Sequence, residues 1–114
     1  MSIRRGEVYV AALDPVVGRE ISKTRPVLVV SNDLNNQFSG TVTILPITSM
    51  NLDKIYPFEV LLPKGCGGLP KDSKIKADQV RTLDKTRLAK LLGKVDQKQI
   101  AAINKAIMLH LGLE

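Results

Sequence analysis

Lys23, Thr24 and Arg25 stand immediately before the apolar run PVLVV, and Thr48 and Ser49 immediately after the apolar run TILPI. Both runs read as buried strands. If they are antiparallel neighbours, the entrance of one and the exit of the other lie at the same end of the pair. A guanidinium from Arg25 and a hydroxyl from Thr48 would then face one anionic group. Such a pair can stabilise the extra negative charge of a pentacoordinate phosphorane without a metal, because both groups donate hydrogen bonds and the guanidinium stays charged. Pro26 biases Arg25 toward extended geometry, which helps to fix its backbone direction. The same residues also fit a plainer structure, an arginine capping a loop and a threonine closing a turn, and spacing alone leaves both readings open.

Other chemistries find less support. His110 is the only histidine and falls in the last turn of a predicted helix, so a two-histidine acid–base site cannot be assembled. The acidic residues are scattered, without a paired spacing such as DxD that would suggest a two-metal site. Neither a metal nor a cofactor is expected. Residues 64–71, KGCGGLPK, contain glycines but lack the spacing of a phosphate-binding loop and read as a flexible hairpin loop between strands.

The elements that must carry Arg25 and Thr48 are short strands. Residues 7–13, 26–31, 41–47, 58–62, 73–77 and 79–83 have strand character, separated by turn-rich segments at 14–24, 32–40, 48–56 and 63–70. Pro46 falls near the end of its run, where a missing backbone donor does least harm. At the C-terminus the period changes: Asp96 and Gln99 have capping-box spacing, and Ile100, Ile103, Ile107 and Leu111 recur three and four residues apart. The expected fold is mainly β with α (α+β), a small β-barrel plugged or flanked by a C-terminal α-helix, in a single domain spanning residues 1–114.

Composition sets outer bounds. A chain of 114 residues can bury one core without covalent staples, and a single cysteine, Cys66, can form no internal disulfide, which favours a reducing compartment. Glu7 and Asp14 interrupt the apolar stretch after the N-terminal arginines, and no apolar run approaches the length of a membrane span. A cytoplasmic protein with no membrane partner is expected. The net charge of +6 is concentrated: residues 64–94 hold nine cations against three carboxylates, while the rest of the chain balances. That excess suits capture of a polyanion, and equally a solvated basic face.

These residues sit inside a wider pattern. Residues 5–9 (RGEVY), 13–18 (LDPVVG), 24–30 (TRPVLVV), 32–33 (ND), 46–49 (PITS), 78–85 (DQVRTLDK) and 111–113 (LGL) resemble, in order and spacing, the MazF/PemK family of toxins, closest to chromosomal MazF of the Gram-positive type. The resemblance implies an SH3-like small barrel, a homodimer, and cleavage of single-stranded RNA (messenger RNA) at short sequences. It also implies neutralisation by a small MazE-like antitoxin whose tail covers the RNA groove. By position, Arg25 and Thr48 match the family's catalytic pair. The loop after Gly18 matches the family loop that shapes RNA binding, which implicates Arg19, Glu20 and Lys23. Asn32 and Ser49 fall in matching motifs and are candidate RNA-binding residues, and Gln79 and Arg81 are candidate groove contacts. Tyr56 lies beside the loop after Thr48, where it could face RNA or pack in the core. The loop departs from the family pattern at Arg19, in place of a small polar residue, and at Ile21, in place of an amide.

The implied reaction is attack of the RNA's own 2′-OH on the adjacent phosphorus, giving a 2′,3′-cyclic phosphate and a 5′-OH. An internal nucleophile needs no serine, cysteine or metal. An arginine is a poor base, so Glu20 is the candidate carboxylate helper, alongside its ordinary reading as an exposed loop glutamate. Two alternatives remain at this point: a non-enzymatic toxin of the same fold that poisons a topoisomerase, and a passive nucleic-acid-binding barrel.

Overall fold

The computed structural model describes residues 2–113. In chain order the elements are β1 (Glu7–Ala12), β2 (Thr24–Val29), α1 (Asp33–Phe38), β3 (Thr41–Thr48), β4 (Glu59–Leu62), β5 (Ser73–Lys76), β6 (Arg81–Asp84), β7 (Leu88–Lys94) and α2 (Gln97–Leu111). Short 3₁₀ turns occupy Cys66–Gly68, Ala77–Gln79 and Lys85–Arg87. Every ladder is antiparallel, and the strand order is β4-β5-β3-β2-β1-β7, with β6 also on β3. The α+β class with a C-terminal helix is as expected. The closed barrel is not: among the described residues no ladder joins β4 to β7, so the sheet bends without closing.

β3 is the organising strand. One edge pairs with β2, and the other is shared by β6 along residues 41–44 and by β5 at Ile47 and Thr48. Its two faces serve two cores. Leu45 and Ile47 join Val8, Leu28, Leu62, Ile75 and Ile103 on one side, while Val42 and Ile44 join Tyr9, Val27, Val29, Leu83 and Leu88 on the other. Each fully buried Leu, Ile or Val contributes about 1.5–3 kcal/mol. That is why β2 and β3 read as apolar on both faces rather than alternating.

The terminal helix begins where the sequence indicates. Asp96 accepts from the Gln99 backbone amide at 2.8 Å and the Gln99 side chain accepts from the Asp96 amide at 2.9 Å, the reciprocal pair of a capping box. Gly112 closes it in the left-handed conformation, with φ at 70°. Ile103 and Ala106 are the residues it buries, whereas Leu111 on the predicted apolar face is exposed.

Three further expectations change. The segment 32–40 is not only a turn, because Asn32 caps α1 by accepting from the Asn35 amide. β7, for which periodicity gave no signal, pairs with β1 through two register irregularities. The glycine loop does connect two paired strands, β4 and β5, yet it is packed rather than free. Gly67 is buried, and a Cβ on Gly68 would lie 2.0 Å from the Leu92 carbonyl oxygen, at a φ of +75° that L side chains rarely adopt.

Candidate active site

The β2–β3 ladder runs Val29↔Ile44, Leu28↔Leu45, Val27↔Pro46 and stops there. Pro46 has no N–H to continue it. Beyond that pair β2 keeps only β1, through Ala11↔Arg25, and β3 keeps only β5, through Thr48↔Lys74. Arg25 lies two residues beyond Val27 and Thr48 two residues beyond Pro46, so both flank the point where the ladder opens. The antiparallel pairing expected from sequence therefore holds, and the two candidate catalytic residues share one sheet end.

Each side chain is oriented locally and leaves hydrogen-bonding capacity in reserve. Arg25 Nε donates to the Ser22 carbonyl at 2.7 Å, and its two terminal nitrogens have no partner among the described residues. Thr48 Oγ1 accepts from the Met50 amide at 3.1 Å, which leaves its own proton free to be donated. Thr48 is 8% exposed, between two neighbours, Ile47 and Ser49, that line an open cleft.

That cleft, of about 280 Å³, is walled by Lys23, Thr24, Arg25 and Pro26 on one side and Ile47, Ser49, Leu69, Pro70, Lys71 and Ser73 on the other. It presents three cations, three hydroxyls and no carboxylate. Lys71 counted in the sequence only as part of a charge excess, and Ser73 not at all as a ligand; the β4–β5 connection delivers both. The cleft suits a phosphate.

A second cleft, of about 500 Å³, is lined by Val17, Arg19, Glu20, Ile21, Pro46 and residues 78–81. Arg19 and Arg81 are balanced there by Glu20 and Asp78, so it offers donors and acceptors rather than net charge. Its loop is strapped down. Gln79 accepts from the Ile21 amide at 2.9 Å and donates to the Arg19 carbonyl at 3.1 Å, while Arg81 donates to the Leu13 carbonyl at 2.6 Å. The loop base is closed by Leu13 and Lys23, whose backbones bond at 3.0 Å, and by the Asp14 carboxylate on the Lys23 amide. Lys23 takes a left-handed φ of 69° there. Glu20 Oε1 accepts from the Val17 amide at 3.2 Å, a bond within the loop itself.

Not every candidate converges. Asn32 lies past the far end of β2 from Arg25, and its side-chain oxygen is used to cap α1. Tyr56 is half-exposed, stacked on Phe58 with ring centroids 5.4 Å apart, with Lys54 Nζ 4.8 Å above its ring. Lys74, part of the basic excess, is not on the surface at all. Its ammonium is buried against the fully buried carboxylate of Glu59 at 3.1 Å, and Lys76 reaches the other oxygen at 2.6 Å. Burial opposes the charged form of Glu59, but hydrogen bonds from Lys76, the Tyr56 amide and Lys74 outweigh it and lower the carboxyl pKa. The trace of this network in the sequence is a glutamate inside FEVLL facing SKIK across a hairpin, with Glu59 directly opposite Lys76. Among the described residues, no three His, Cys, Asp or Glu side chains are grouped as a metal site would require, and no helix is long and apolar enough to cross a membrane.

The family model of PemK-like, MazF-like toxins of type II toxin–antitoxin systems matches residues 4–111. The chain is 40% identical over 116 residues to endoribonuclease MazF9 of Mycobacterium tuberculosis, covering 97% of this chain and 98% of that one. It is 44% identical over 112 residues to endoribonuclease MazF of Staphylococcus saprophyticus, covering 97% and 92%. A mycobacterial endoribonuclease solved in complex with its cognate antitoxin superposes with a TM-score of 0.81 at 28% identity, over 98% of this chain and 97% of that one.

Proposed function

The chain belongs to the family of PemK-like, MazF-like toxins of type II toxin–antitoxin systems, and from that premise we propose that it is an endoribonuclease cutting single-stranded messenger RNA, independently of the ribosome, by metal-independent transesterification. The observation that carries the reading is the cationic cleft where the β2–β3 ladder ends, lined by Arg25, with Thr48 in the chain between two of its lining residues, Ile47 and Ser49. A phosphodiester drawn to Lys23, Arg25 and Lys71 loses its charge repulsion toward nucleophiles. The 2′-OH of the nucleotide 5′ to the bond attacks the phosphorus, the P–O5′ bond breaks, and the products end in a 2′,3′-cyclic phosphate and a 5′-OH. Arg25 supplies two unpaired guanidinium nitrogens to the non-bridging oxygens, and Thr48 donates its free proton to one of them. Both bonds strengthen as negative charge builds on the phosphorane, so they lower the barrier rather than merely bind the substrate.

Glu20 is the carboxylate assigned to help with proton transfer. In the loop it is tied to Val17, and it lines the neighbouring cleft rather than the cationic one. That mixed cleft, with Arg19, Gln79 and Arg81, would read base edges, since polar contacts rather than many aromatic stacks are available. Ser49 would contact the RNA backbone, and Tyr56 the chain beyond it. A homodimer acting in the cytoplasm, silenced by a MazE-like antitoxin that occupies the RNA groove, completes the reading.

Arg25→Lys tests the guanidinium directly. A lysine keeps the charge but loses the planar fork, so cleavage should fall by about 10-fold or more with cyclic-phosphate ends retained. Full activity in that variant would remove specific guanidinium recognition from the mechanism.

A further inference from the structure

The turn that leaves Thr48 is held from beneath by one buried ammonium. Lys74 is the cross-strand partner of Thr48, and its side chain is 5% exposed. Its Nζ donates to the Asn51 carbonyl at 2.9 Å, to the Lys54 carbonyl at 3.1 Å and to Glu59 Oε1 at 3.1 Å. Three protons meet three acceptors, so the group is saturated. Asn51 adopts a left-handed φ of 56°, a conformation uncommon for residues other than glycine. One residue earlier in the same turn, the Met50 amide holds the Thr48 hydroxyl oxygen. Glu59 Oε1 also accepts from the Tyr56 amide at 3.0 Å, which fixes the far limb of the turn to the same pair.

We propose that Lys74 is a positioning residue for the reaction: by drawing the Asn51 and Lys54 carbonyls inward, it keeps the Met50 amide on Thr48 Oγ1 and so aims the Thr48 proton at the substrate phosphate. It touches neither substrate nor phosphate. Its charge is consumed by Glu59 and two carbonyls, which separates it from the surface lysines of the same segment. The inference rests on the endoribonuclease reading for its kinetic consequence, but its structural half stands without any substrate.

The experiment is a double-mutant cycle of Lys74→Met, Thr48→Ala and both together. Turnover is measured on a short single-stranded RNA containing a site the wild-type protein cuts, and Met50 amide exchange is followed without RNA. Lys74→Met should lower kcat about 10-fold or more while KM stays within about threefold. In the Thr48→Ala background the same change should cost no more than about twofold, because the group it positions is already gone. Met50 exchange should quicken by about 10-fold, with amides of β1 and β2 unaffected. Independent, multiplying losses, an effect on KM alone, or unchanged Met50 exchange would each overturn the proposal. If Lys74→Met loses its cooperative melt, Lys74→Gln, whose amide can still donate to a turn carbonyl, replaces it. Unfolding of both would make Lys74 a stability residue and overturn the proposal as well. A wild-type protein that cuts no RNA would sink the endoribonuclease reading, and Met50 exchange would then decide the role of Lys74.

Discussion

Gln79→Ala isolates what holds the loop over the mixed cleft. The wild-type amide makes two bonds to that loop, one to the part-buried Ile21 amide and one to the exposed Arg19 carbonyl. A net intramolecular hydrogen bond is worth about 0.5–1.5 kcal/mol. Taking about 1 for the part-buried bond and about 0.5 for the exposed one, the loop should open more easily by about 1.5 kcal/mol. That is close to a 10-fold rise in the open population, since about 1.4 kcal/mol is a factor of ten. Hydrogen exchange at the Ile21 amide reads this population directly, and it should speed up by about 10-fold while amides in β1 and β2 keep their rates. Global stability should hardly move, because the loop opens locally. Gln79→Glu is the control: its carboxylate still accepts from Ile21 but faces the Arg19 carbonyl without a proton, so the effect should be intermediate. Unchanged Ile21 exchange in Gln79→Ala would refute the strap.

Two other expectations concern stability. Gly68→Ala would drive a methyl into the Leu92 carbonyl at an unfavourable φ, and should lower thermal stability by at least about 2 kcal/mol, seen as a fall of roughly 10 °C in Tm. Tyr9, buried and bonded to Glu7 at 3.0 Å, has its phenol pKa raised from 10.0 to about 12, by burial first and then by the Glu7 hydrogen bond and charge. A pKa raised on folding gives stability that is intact below pH 10 and lost as the pH climbs toward 12. Denaturant midpoints should therefore fall across that interval in the wild type and fall less in Tyr9→Phe, and equal slopes in the two proteins would count against the assignment.

The parts of the molecule legible in the sequence were those fixed by local pattern. The apolar runs around Val27–Val29 and Ile44–Ile47 gave β2 and β3, Pro26 after Arg25 gave the extended direction of its backbone, and Pro46 was placed near a strand end. Asp96 and Gln99 marked the start of α2, a contact between residues three apart. What stayed hidden depends on distant partners. β7 lacks a clean alternation because its register against β1 slips twice. The open sheet edge follows from which strands pair, which no single segment encodes. Lys74 looked like its neighbours in a basic stretch until a hairpin placed it over Glu59, and nothing local to Gln79 announces the two bonds by which it holds the loop of residues 18–23. Asn32 falls in a family-matching segment of its own, yet β2 carries it to the opposite end from Arg25. The placement of Arg25 and Thr48 at one sheet end was legible because both sit at strand ends; the cationic surroundings were not, because Lys71 and Ser73 arrive from a different hairpin.

The central claim is that one phosphate meets Arg25 and Thr48 without a metal. Its most direct test is cleavage of a long mixed-sequence single-stranded RNA in excess EDTA by the wild type, Arg25→Ala and Thr48→Ala, each checked for folding. The wild type should give discrete cuts with 2′,3′-cyclic phosphate ends, and each variant should be slower by about 100-fold or more. Cleavage that EDTA abolishes, or that either variant carries out at the wild-type rate, would contradict it.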